Sequence, residues 1–379
     1  MKKLMLTTAI ASVLTTAAIA QTTITGELRI SYKDVSAPKG LSATALGTAD
    51  TSYGFGAEQQ INIQTKGKLN LGGLDYAAGF AIENDGEQTG TLFNENVYMD
   101  LTNASTGTTI SFGRDHIQRS DTDFSATNLV AFTPNELSQT TNATAGGTRF
   151  KQNLGPAVSQ AYGAAILQKT PVGTFSYNFV PNNAAPSAGS VTNATAASST
   201  TVGGTGVPVV NADTTGVASS EAVNPNTTAA YEYGFVGDLT VKGLQVHYFK
   251  AENKDLANLN WAPVAVKAES KNYGVKYNFG DFTLGANKKV YNSEGATLVE
   301  TTETAYAAAY AVNKDLTIGV IKAKAENNNS AVDQTVKGIN LGYALGPVDL
   351  AVGYAKNSDA LGIAGADNDV FMARLIGKF

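Results

Sequence analysis

Side chains suited to catalysis or metal binding are scarce in this 379-residue chain, which has two His, one Trp and no Cys. His116 and His247 stand far apart, with no Glu at metalloprotease spacing and no thiolate to complete a tetrahedral set, so the pattern supports neither a metal site nor a general base. There is no Gly-rich phosphate loop and no G-x-S-x-G elbow, so the reading is a non-enzyme without a cofactor. Without Cys there is no disulfide framework and no thiolate zinc or iron–sulfur site. What the chain does carry is charge and amide placed at every second position, and such residues take their meaning from the elements that aim them.

Those elements are alternating segments. Ile24, Gly26, Leu28, Ile30 and Tyr32 share one parity, and Thr25, Glu27, Arg29, Ser31 and Lys33 share the other. One face suits lipid and the other water. Ile61, Ile63 and Leu69 repeat the pattern against Gln60, Asn62, Gln64, Lys66 and Lys68, and Leu74, Tyr76, Ala78, Phe80 and Ile82 repeat it against Asp75 and Glu83. Further strands are expected near 91–102, 107–114, 158–168, 173–180, 228–237, 242–251, 270–279, 281–291, 302–312, 315–325, 333–345, 347–356 and 368–379, sixteen in all. The weakest is 158–168, because Ile166 and Leu167 fall on opposite parities. Most run to about ten residues, the length a tilted strand needs to cross a hydrocarbon layer.

The connections carry a second signal. After even-numbered strands they are tight Gly, Asn, Asp or Pro turns, such as "LGGL" at 71–74, "NAST" at 103–106 and "LGP" at 345–347. After odd-numbered strands they are mostly longer, and two are very long, at roughly 115–157 and 181–227. The second of these is almost wholly Ala, Ser, Thr, Asn, Gly, Val and Pro and cannot supply a packed core. Short turns at one rim and long loops at the other describe an antiparallel barrel that crosses an outer membrane.

The first twenty residues read as a signal peptide. Lys2 and Lys3 start it, Leu4 to Ala17 are apolar but too short to span a bilayer, and Ala18, Ile19 and Ala20 form a small-x-small cleavage site. One domain, 21–379, is expected to remain. Without the two leader lysines, 25 basic residues stand against 32 acidic ones, a formal charge of −7. That balance argues against nucleic acid as a partner. After the leader no apolar run reaches 18 residues, so no transmembrane helix is expected and a closed barrel is the remaining way to cross. The chain stops on the alternating row Phe371, Ala373, Leu375, Gly377 and Phe379, as a strand that pairs to close something.

The signal peptide, the opening "TTITGELRISY", the strand "TISFGRDH" leading into a long third loop, "GPVDLAVGY" and the final Phe379 together resemble the general diffusion porins of Gram-negative outer membranes. That resemblance implies a sixteen-stranded barrel, a homotrimer, and a third loop folded into the pore. It also implies an outer-membrane location among lipid and lipopolysaccharide, with Phe379 read by the insertion machinery as an assembly signal. The function implied is passive diffusion of ions and small hydrophilic solutes. Two departures stand out: the 181–227 loop is long, and an acidic "PEF"-like stretch is present only as "TPNEL", Thr133 to Leu137.

In such a pore the third loop presents acids and the facing wall presents bases, so a transverse field orders water and solutes at the narrowest point. Asp121, Asp123 and Glu136 are the acids that fit, and Arg29, Lys66 and Arg374 are the bases, on strands that become neighbours when the last strand meets the first. A weak cation preference follows from the acidic balance elsewhere in the chain. Tyr32, Tyr248, Tyr354 and Phe379 read as interfacial girdle residues. The competing reading is a barrel that acts as adhesin or surface receptor through 181–227.

Overall fold

In a computed structural model, the described residues are 21–36, 52–69, 73–84, 93–113, 117, 126–138, 150, 162–181, 229–238, 240–256, 266–294 and 299–379. Sixteen strands follow in order: β1 (Gln21–Val35), β2 (Ser52–Lys68), β3 (Leu74–Asn84), β4 (Phe93–Asn103), β5 (Thr108–Gly113), β6 (Gly163–Thr170), β7 (Gly173–Val180), β8 (Ala230–Asp238), β9 (Leu244–Leu256), β10 (Val266–Phe279), β11 (Phe282–Glu294), β12 (Val299–Ala311), β13 (Leu316–Asn327), β14 (Gln334–Ala344), β15 (Val348–Ser358) and β16 (Asn368–Lys378). Each pairs antiparallel with its sequence neighbours, and β16 returns to β1 to close the barrel. Closure leaves no strand edge unpaired, which is what a hydrocarbon environment requires of backbone polar groups.

At the seam, β1 and β16 run in register from Glu27 opposite Lys378 to Val35 opposite Val370. The pairing continues into Phe379, whose N–H donates to the Gly26 carbonyl at 3.0 Å while the Gly26 N–H donates to the Phe379 carbonyl at 2.7 Å. The Phe379 ring lies over Gly26, where a Cβ would overlap it. A glycine at that point lets the terminal aromatic lie flat on the outer wall.

Alternation accounts for the two faces. Ile24, Ile30, Ile318, Val320, Ile339 and Leu375 are exposed on the outside, an arrangement stable only against lipid. Turns of positive φ at Gly107 and Gly346 join hairpins at one rim. Several boundaries differ from the sequence expectation, β9 by five residues at its end and β10 by four at its start among them. β1 and β2 extend to a Val35–Ser52 pair, because Tyr53 and Phe55 carry the outward row further, the latter with its ring 5.1 Å from that of Tyr32. β6 runs from Gly163 to Thr170, with Ile166 outward and Leu167 inward, packed on a cluster of Ile117, Ala165, Val180 and Ala230. The conflicting parities arise because the inner wall itself is apolar there. The stretch 181–227 lies outside the described residues apart from Pro181.

The main buried cluster sits inside the barrel, between its inner wall and the segment 126–138. Phe132, Leu137 and Phe150 pack there against Ala305, Ile321, Ala323, Val336, Ala355, Val370 and Met372.

Candidate pore constriction

The segment 126–138 crosses the lumen against β11 to β16, and the wall is shaped to receive it. Three inward positions beneath it are glycines, and a Cβ at Gly285, Gly319 or Gly353 would run into Ala126, Val130 or Phe132 respectively. Inward amides hold the segment's backbone. The Asn287 side-chain oxygen accepts from the Ala126 N–H at 3.3 Å, Asn340 donates to the Phe132 carbonyl at 3.3 Å, Asn357 to the Leu137 carbonyl at 3.1 Å, and Gln334 to the Ser138 carbonyl at 3.0 Å. Asn287 is itself held through Asn272, which also bonds His247, so this histidine belongs to the anchoring network. Full burial of Phe132 and Leu137 adds about 1.5–3 kcal/mol each.

Within the segment, "TPNEL" forms a single helical turn, α1 (Pro134–Leu137), closed by a capping box. The Glu136 N–H donates to the Thr133 hydroxyl at 3.3 Å, and one Glu136 carboxylate oxygen accepts from the Thr133 N–H at 2.9 Å. The other carboxylate oxygen accepts from Arg374 Nη2 at 2.5 Å. The T-x-x-E spacing with Pro at the first helical position therefore aims Glu136 at the wall. Arg374 is fixed from three sides: by Glu136, by the Ser31 hydroxyl that accepts from its Nε at 3.2 Å, and by the Phe132 ring, whose centroid lies 4.9 Å from the guanidinium carbon. Lys33, on the same inner row of β1, lies within reach of the charges of Glu136 and Arg374.

Arg29 faces the lumen two residues from Ser31 toward the turn rim. Its Nη1 donates to both carboxylate oxygens of Glu58, at 2.6 and 2.8 Å, and its Nε to Glu27. Lys66 pairs in register with Gln21 and Ala77, at the turn rim. Asp121 and Asp123 lie outside the described residues, as do His116 and the loop arginines 114, 119 and 149. The structure thus brings Glu136 to Arg374, sets Arg29 in an acid cluster of its own wall, and leaves Lys66 at the rim.

The wall amides Gln334, Asn340 and Asn357 were not among the residues expected to matter. Their signal is present in the sequence, since they share the inward parity of β14 and β15 with Gly338, Gly342, Gly353, Ala351 and Ala355. A face that is both small and amide-bearing is suited to receiving backbone.

Solved barrels share this architecture at low identity, which speaks to the fold alone. An anion-selective porin from Comamonas acidovorans aligns at 13% identity over 95% of this chain and 100% of its own, with a TM-score of 0.60. The trimer form of OmpT from Vibrio cholerae aligns at 12% identity over 95% and 99%, with a TM-score of 0.60. A triple mutant of the Rhodopseudomonas blastica porin aligns at 15% identity over 95% and 100%, with a TM-score of 0.53. Curated sequences yield no match by sequence similarity. The family profile described as Gram-negative porin matches residues 7–369, nearly the whole length, and the chain belongs to that family.

Proposed function

We propose that this outer-membrane channel works as a homotrimer for passive diffusion of ions and small hydrophilic solutes, with residues 1–20 removed and the loop rim facing outward. Lipid and lipopolysaccharide surround the wall, and the insertion machinery reads Phe379. The observation that carries the channel reading is the segment 126–138 held inside the barrel by wall side chains, which narrows the passage. The Glu136–Arg374 ion pair at the junction of loop and wall, with Arg29 and Lys66 further along the same wall and Asp121 and Asp123 on the same loop, makes up the charged lining that acts on passing ions. The acidic balance of the chain gives the pore a weak preference for cations.

Planar-bilayer recording of the purified protein tests this. Conductance steps in threes and a small cation-directed zero-current potential across a tenfold KCl gradient are expected. Electrical silence from folded, inserted protein would overturn the channel and leave the loops as a binding surface.

A further inference from the structure

The outer wall carries a row of lysines in a membrane protein's least expected place. Lys322 on β13 lies directly opposite Lys337 on β14, which lies directly opposite Lys356 on β15. All three side chains are on the outward parity and exposed. The next outward row toward the turn rim is apolar, with Val320 opposite Ile339 and Ile339 opposite Tyr354. Between Tyr306 and Tyr354 these two rows line a groove of about 660 Å³. A cationic row one step above an apolar one marks the boundary between headgroups and acyl chains.

Like charges directly opposite one another on a sheet repel, so such a row needs counter-charge. On the other side of the barrel the protein supplies its own. Lys250 and Lys271 also face each other across β9 and β10, and Glu269 bonds both, at 2.8 and 2.7 Å, while Glu252 stands 3.3 Å from Lys250. On β13 to β15 the nearby acids are otherwise engaged. Glu326 and Asp333 pair with Lys324 at 2.6 and 2.8 Å, and Asp369, in register with Lys356, accepts from the Tyr354 hydroxyl at 3.0 Å. Among the described residues no ion pair is made by Lys322, Lys337 or Lys356.

We propose that this groove is a site for a phosphate-bearing lipid of the outer leaflet, its phosphate groups bridging the three ammonium groups and one acyl chain lying along the Val320, Ile339 and Tyr354 row. The proposal rests on the reading that this wall faces lipid. A second copy of the chain is a poorer occupant, because the outward acids Glu252, Glu269, Glu326 and Asp369 are already held by their own neighbours, and the two others among the described residues, Asp34 and Glu300, stand on separate strands, β1 and β12, rather than in a row that could match three lysines.

Native mass spectrometry of the full folded oligomer tests it, with a diphosphorylated acyl-disaccharide lipid and its phosphate-free counterpart as probes. One phosphorylated lipid per protomer is expected, and the triple variant K322Q/K337Q/K356Q should bind it roughly a hundredfold more weakly. The arginine triple K322R/K337R/K356R should keep binding, and K250Q/K271Q should not alter it. Equal binding of the phosphate-free lipid, undiminished binding by the glutamine triple, or displacement of the lipid by millimolar inorganic phosphate would each overturn the site. Dissociation of the oligomer in the glutamine triple alone would instead overturn the lipid-facing placement of this wall.

Discussion

Two arcs of the same barrel obey the same alternation and yet have opposite interiors. Along β11 to β16 the inward residues under the crossing segment are mostly glycine, alanine, amides and uncharged apolar side chains such as Ile321, Val336 and Met372, and a segment of chain covers them. Along β1 and β2 the inward residues include Glu27, Arg29, Glu58, Gln60 and Asn62, bonded laterally to one another and, through Gln60, to Glu83 of β3. The contrast shows that parity decides which face looks inward, while side-chain size decides whether that face lines the passage or seats the loop. A small wall allows backbone to approach and amides then satisfy it; a wall of long charged side chains fills its own space and keeps its hydrogen bonds lateral.

The largest effect is expected where the two arcs meet. Deleting Phe379 removes both terminal backbone bonds to Gly26 and the ring that covers it, so membrane-inserted, heat-resistant oligomer should fall sharply. Oligomer at the normal level on semi-native gels would show that the arcs close without it.

Next comes the covered arc itself. The variant Q334A/N340A/N357A strips three carbonyls of the crossing segment of their donors, each loss costing about 1–3 kcal/mol. The segment should then become open to protease from the loop rim, and single-channel conductance should rise. The matching change on the other arc, Q60A/N62A/Q64A, should leave the segment seated. Equal protease sensitivity in the two variants would erase the distinction between the arcs.

A smaller effect is expected at the point of contact between loop and wall. E136Q leaves Arg374 without its carboxylate and should shift the zero-current potential toward anions, while R374Q should shift it toward cations. A unit charge about 7 Å from a passing ion in water is worth about 0.6 kcal/mol, roughly threefold in permeability ratio. Both shifts should shrink near 1 M KCl, where the screening length is about 3 Å. Identical potentials in both variants would place this pair off the permeation path.

The smallest effect is expected at Lys66. It lies eight residues beyond Glu58 on β2, roughly 26 Å at about 3.3 Å per residue, against a screening length of about 10 Å at 0.1 M salt. K66Q should leave the potential within error of the unmodified protein. A shift as large as that of R374Q would extend the field to the turn rim.

What the sequence determined by itself was the number of strands and the assignment of faces, because a period of two is a local property that each segment displays without its neighbours. The capping box at Thr133 and Glu136 is equally local, since T-x-x-E with Pro at the first helical position is written in "TPNEL" itself. Ile166 and Leu167 show the limit of local reading, since an apolar residue faces inward wherever the lumen holds an apolar partner. The tertiary structure alone decided which base meets which acid. Arg29, Lys66 and Arg374 share the inward parity, but height in the barrel depends on register and closure, and these follow from the hydrogen-bond ladder of all sixteen strands together. The seat of the crossing segment is likewise non-local: the Asn357 amide that holds Leu137 lies 220 residues from it, and only the closed barrel brings the two together.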